Sequence, residues 1–321
     1  MAETDAAEAV PVGHLDALAE ASFYGLPAPA VLGGLDADLA TICSAIEVLA
    51  GADLTTTFVW VQHLSVVQSS VKSPNQELKR RWLAPLCRGT ARAGQILAGV
   101  IPGPAKVHAR PSPDGDGWIW TGTAPWLSGW TRIDVINASA RDEHGNSVWA
   151  LIDALESETF DVEPLELLAV NASRTVRAHF REHHVPAERV AAVVPEEAWS
   201  RIDPVGMRIH AAMALGVAAR ALKLMGPSPL DGELAAHRAA VDEAIAAPET
   251  MPAARAAVSE LALRAASANF VAAGARATSV VEHAARLMRE AAFMLVFGSR
   301  AAIKAALLER LGAQTPDQPR G

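Results

Sequence analysis

The chain has 321 residues, enough to bury a large core, and 50% of them are apolar against 20% charged, which excludes a disordered polymer. Its formal charge of −8 repels the phosphate backbone overall, so nucleic-acid binding is not expected. The two cysteines, Cys43 and Cys87, exclude a disulfide scaffold and lack metal-ligand spacing, and no apolar run reaches the roughly 18 residues of a membrane span. The acidic start MAETDAAEAV lacks the basic region of a signal peptide, so a cytoplasmic protein without a membrane partner is the expectation.

Residues 1–92 read as a helical unit. The stretches 14–26 and 36–53 repeat apolar residues at helical spacing, with Pro27, Pro29, Gly33 and Gly34 between them. The run from Thr55 to Val71 is rich in β-branched residues and open to either helix or strand. A further helix is predicted from a Ser73 cap and Pro74, with Glu77 in its first turn, to Gly89.

Residues 93–200 change character. Short strand-like runs are separated by turn residues, and five of the eight tryptophans lie between Trp118 and Trp149. This predicts a compact antiparallel β unit, a barrel or sandwich. Residues 201–312 return to Ala-rich amphipathic helices, as in a bundle, and 313–321 read as a flexible tail. The fold expected is therefore mostly α with a central antiparallel β unit.

Four phrases in this order resemble the acyl-CoA dehydrogenases. Residues 76–103 are similar to that family's basic helix and first strand, which lead into a motif usually read TEPGAGSD. DGWIWTGTAPWLSG, residues 116–129, resembles the flavin hairpin DGW.LNG.K.WITN. Residues 170–190 resemble a later strand phrase. Residues 274–303 can be laid without gaps on the family's closing region, with 286–291 on RLMRDA. The resemblance covers roughly residues 15–311. It implies N-terminal helices, a middle β unit and a C-terminal helical bundle. It also implies FAD as cofactor, an acyl-CoA or related acyl thioester as substrate, oxidation of a CH–CH bond, and a homo-oligomer or a hetero-oligomer with a homologous subunit.

The resemblance places Trp126 and Ser128 beside the flavin ring, Val100 at its edge through backbone groups, and Gly274, Arg276 and Arg300 near the pyrophosphate. A β-core role for Trp126 and surface ion pairs for the two arginines stand beside these readings. The family's usual base is the glutamate of YEGT. Here Phe297, Gly298, Ser299 and Arg300 occupy those places, so the base is absent. A second place known for it falls near Gly206 and Met207, again without a carboxylate. His63 and Asp203 remain as acid–base candidates, read more simply as a packed helix histidine and a helix cap. The adjacent His183 and His184 lack a third ligand, so no metal site is expected.

Other departures fall on the same sites. TEPGAGSD is reduced to residues 100–106, and a GGYG phrase becomes Gly274, Ala275, Arg276 and Ala277, whose added methyls should crowd a pyrophosphate. The short linker between Gly226 and Pro252 suggests a trimmed helix. Three functions follow. The first is a diverged acyl-CoA dehydrogenase-type flavoenzyme. The second is a non-catalytic or FAD-deficient partner subunit. The third is a flavin-dependent oxygenase or oxidase on the same fold, which needs no α-proton base. Restoring glutamate at 298 is expected to return dehydrogenation only where a flavin already sits correctly.

Overall fold

The computed structural model describes residues 2–201 and 203–312, and the expected tail, 313–321, lies outside them. Five helices come first: α1 (Ala2–Ala6), α2 (Val12–Glu20), α3 (Leu39–Ala52), α4 (Leu54–Lys72) and α5 (Gln76–Arg88). Side-chain caps explain where three of them start. Asp38 accepts from the Thr41 amide, Asp53 from the Thr56 amide and hydroxyl, and Asn75 from the Leu78 amide. Ser73, expected as the α5 cap, accepts the Asn75 amide and donates to Ala191 O, which ties the turn to the β unit. Gly89 ends α5 in the left-handed conformation. The ambiguous run is the helix α4. It is buried on most of its circumference, so it carries no helical stripe for a sequence reading to detect.

The middle unit holds β1 (Ala93–Ile96), β2 (Val107–Pro111), β3 (Gly117–Leu127), β4 (Val135–Arg141), β5 (Ser147–Asp153), β6 (Phe160–Pro164), β7 (Val176–Pro186) and β8 (Val190–Val194). They form one sheet in the order β6-β7-β3-β2-β4-β5-β8, with β1 on β4. The sheet is mixed, which corrects the antiparallel expectation: β1 and β2 both run parallel to β4. Its core is built on Trp120, Leu127, Phe160 and Phe180.

After the short α6 (Glu196–Trp199) come α7 (Pro204–Met225), α8 (Leu230–Glu243), α9 (Met251–Ala273), α10 (His283–Val296) and α11 (Ala301–Arg310). The short span between Gly226 and Pro252 still carries the 14-residue α8. Helix α7 is apolar and long enough to cross a bilayer by composition, but α3, α9 and α10 cover it. It crosses α3 backbone to backbone. A Cβ on Gly51 would lie 2.8 Å from the Gly216 carbonyl, and one on Gly216 would run into the Glu47 carbonyl. One hydrophobic core accordingly joins residues of α2, α3 and α4 to those of α7, α9 and α10.

Candidate functional site

The β side of the site is set by an irregularity. The β3–β7 register shifts between Ala124 and Leu127, so Pro125 and Trp126 leave the ladder. Leu127 goes into the core, while the Trp126 indole is 57% exposed. Two contacts bracket this stretch. Close to Ser128 O lies Gly94 of β1, and the Thr123 amide donates to Lys106 O at 3.0 Å. The segment between β1 and β2 therefore runs beside the part of β3 that carries Trp126. Within that segment the Val100 amide is used by Leu97 O at 3.0 Å, whereas the Ile101 and Gly103 amides donate to no described residue.

Ser128 departs from the sequence expectation. It is buried, and its hydroxyl shares a 2.8 Å hydrogen bond with the Thr175 hydroxyl, which in turn bonds Ser173 at 2.8 Å. A buried hydroxyl keeps such partners, because losing one costs about 1–3 kcal/mol. That bond leaves the Ser128 hydroxyl either its proton or a further lone pair for a second partner.

The helical side is built at the end of α10. Phe297 caps the helix, and Gly298 follows at φ +63°. An ideal Cβ on Gly298 would fall 2.5 Å from His210 Nδ1 and 2.9 Å from its Cε1. The imidazole of His210, on α7, packs on the Phe297 ring at 4.7 Å, and Phe58 and Phe293 complete the aromatic cluster around Phe297. Neither ring nitrogen of His210 bonds a described residue. Burial, then Arg255 and Arg300, push its pKa down to about 3, so the ring is neutral at ordinary pH. Arg255 is buried and has no carboxylate partner among the described residues. It bonds the Ser259 hydroxyl and points at the Phe297 and Met294 carbonyls at 3.4 and 3.5 Å, a cation at the C-terminus of α10. Among the described residues, Arg300 makes a single polar contact, at 3.4 Å to Arg201 O.

Sequence reasoning missed His210. The signal was available: it lies one helical turn beyond Gly206, on a helix rich in Ala, Leu and Met.

Most of the remaining residues make contacts of their own. His63 is a buried bridge, which corrects its place among the acid–base candidates: Nε2 donates to Leu86 O at 3.0 Å and Nδ1 accepts the Ala93 amide at 3.0 Å. With both nitrogens occupied it ties α4 to α5 and β1. Burial holds its pKa down to about 3. Asp203 caps α7 by accepting the Gly206 amide at 3.0 Å. Gly274 and Arg276 sit exposed on the turn after α9, and Arg276 makes no ion pair among the described residues. Glu290 is buried against Arg286 at 2.8 Å. No group of three metal-ligating side chains occurs among the described residues.

The residues present fit the ring end of a flavin. The open indole of Trp126 supplies an apolar face, and the free Ile101 and Gly103 amides supply donors for a ring carbonyl.

The model of the acyl-CoA dehydrogenase N-terminal domain matches residues 1–90. A curated relative, a probable acyl-CoA dehydrogenase fadE25 of Mycobacterium leprae, is 26% identical over 195 residues, 59% of this chain and 50% of the relative. The chain thus spans about half the length of the curated relatives it matches. Among solved structures, butyryl-CoA dehydrogenase of Megasphaera elsdenii superposes with a TM-score of 0.80 at 18% identity, covering 97% of this chain and 92% of that one. Dibenzothiophene monooxygenase TdsC of Paenibacillus sp. A11-2 gives 0.75 at 20% identity, covering 98% and 94%. At these identities the structural likeness is one of fold.

Proposed function

We propose, for a chain that is a member of the acyl-CoA dehydrogenase family, a flavin-dependent oxidoreductase in which a neutral imidazole occupies the space of the missing carboxylate without taking over its removal of the α-proton. The observation that carries this reading is the contact of His210 with Gly298. Space that a side chain at 298 would need is filled by a ring that burial, with Arg255 and Arg300 nearby, holds uncharged.

FAD, when bound, would supply two-electron chemistry that no side chain provides. Trp126 and the Ile101 and Gly103 amides would hold its ring. Phe58, Phe293 and Phe297 form an apolar aromatic wall beside position 298, which is itself exposed. His210 offers one N–H donor and one acceptor nitrogen, and burial, then the neighbouring Arg255 and Arg300, disfavour any proton beyond the first. Such a group orients a polar ligand atom. It is a poor acceptor for a carbon-bound proton, because a base works best with a pKa near the operating pH.

The consequence is weak or no dehydrogenation of simple saturated acyl-CoAs by this chain alone. The test is the visible spectrum of the fresh protein, with any released flavin identified, followed by anaerobic mixing with a panel of acyl-CoAs. Bound FAD without rapid bleaching supports the reading. Rapid bleaching by the homogeneous protein overturns it.

The same neutral His210 favours a second reading, a flavin-dependent oxygenase, which requires no α-proton base; the fold likeness to a monooxygenase is consistent with it. Oxygen consumption with reduced flavin and a substrate panel separates the two. Association through the bundle, with a second copy or a homologous subunit, belongs to the proposal as well. Val271, Val280, Val281 and Val296 lie exposed on or beside α9 and α10, and light scattering across concentrations tests it.

A further inference from the structure

The segment that joins β1 to β2 has lost the hydroxyl and carboxylate side chains of the motif it resembles, yet one side chain outside it organises its backbone. Arg141, at the end of β4, donates from Nη1 to Gly103 O at 2.7 Å and from Nη2 to Ile101 O at 2.6 Å. Its Nε and Nη2 also reach Gly99 O at 3.4 Å. The Trp199 ring of α6 covers the guanidinium at 4.6 Å, and Trp199 Nε1 is itself fixed to Gly145 O at 3.1 Å. From the other side, the Gly99 amide donates to the Ser139 hydroxyl at 3.0 Å.

We infer that Arg141, stacked under Trp199, is the positioning residue that shapes residues 99–103 into a donor edge for a flavin. Three alternate carbonyls converge on one guanidinium, and the Ile101 and Gly103 amides between them are left without acceptors. A planar fork with five fixed donors is suited to gathering carbonyls, and a lysine is not, because its ammonium is a single point of charge. The lost side chains of the motif are thereby replaced by backbone groups held in place from β4. This inference rests on the flavin reading of the β side.

The test compares the full-length protein with Arg141→Ala, Arg141→Lys and Trp199→Leu. Two readouts are taken: the FAD dissociation constant by flavin fluorescence, and the rate of tryptic cleavage after the exposed Lys106, at the end of the segment. The thermal midpoint is the control. Expected are a tenfold or greater loss of FAD affinity and faster cleavage after Lys106 in Arg141→Ala, with partial recovery of both in Arg141→Lys. Affinity and cleavage within twofold of the parent overturn the inference. Should the parent protein take up no FAD, the flavin reading falls. Cleavage then decides the latch by itself, and an unchanged rate in Arg141→Ala overturns it. Should Arg141→Ala fail to fold, Trp199→Leu, which removes only the cover, gives the same two readouts.

Discussion

The His210 imidazole stands 2.5 Å from the point where a Cβ of residue 298 would begin. A side chain at 298 and the ring at 210 are therefore alternatives. Gly298→Glu is not expected to restore a base, which reverses the sequence expectation. The left-handed backbone at 298 adds about 1–2 kcal/mol against any L side chain, and overpacking about 1–3 kcal/mol more. The variant should show a lower denaturation midpoint and no gain in flavin bleaching by acyl-CoAs. The double variant with His210→Gly should recover much of the midpoint.

Trp126→Ala should leave the fold intact, because a side chain 57% exposed contributes little to the core. Flavin occupancy or the flavin spectrum should change. Unchanged occupancy and spectrum would remove Trp126 from the ring site. Ser128→Ala should behave in the opposite way, costing about 1–3 kcal/mol in denaturant unfolding through the hydroxyl chain with Thr175 and Ser173, with little change in flavin affinity.

Much of this was legible in the sequence and some was not. The change from helical to strand-like patterning near residue 93, and the ordered phrases, pointed to the three-part arrangement. Thr55 to Val71 hid a helix because burial on nearly every side erases the apolar stripe. The parallel pairing of β1 with β4 depends on where the chain crosses, which strand periodicity does not encode. The missing glutamate was visible as Gly298, but its replacement was not. His210 and Gly298 meet only through the packing of α7 against α10.

Acid should destabilise the protein through His63. Its folded pKa, about 3, lies below the roughly 6.5 of the unfolded chain, so the unfolded state binds the extra proton between those values. Stability is present in full above pH 6.5 and is lost as pH falls toward 3, at up to about 1.4 kcal/mol per pH unit for this group. The structural cause is specific: protonating Nδ1 breaks its bond from the Ala93 amide. Denaturant midpoints from pH 7 to 5 should fall, and less steeply in His63→Gln. Equal slopes would assign the acid sensitivity elsewhere.

Glu290 should act with the opposite sign. Burial is the largest influence on it and outweighs Arg286, so its folded pKa is pushed up to about 8. The folded state then holds a proton that the unfolded state has released, and stability declines as pH rises from about 4.5 through 8. Glu290→Gln keeps an acceptor for Arg286 and should flatten this decline between pH 6 and 8.5. A variant as alkali-sensitive as the parent would contradict the assignment.

The glycine crossing of α3 on α7 bears on how the polypeptide is made. Ribosomes add about 5–20 residues per second, so Gly51 waits on the order of ten seconds or more for Gly216 to emerge. During that interval the first helices hold their apolar faces without the partner that covers them, while the whole β unit is synthesised. Truncation anywhere before α7 should therefore yield insoluble fragments instead of a smaller folded protein.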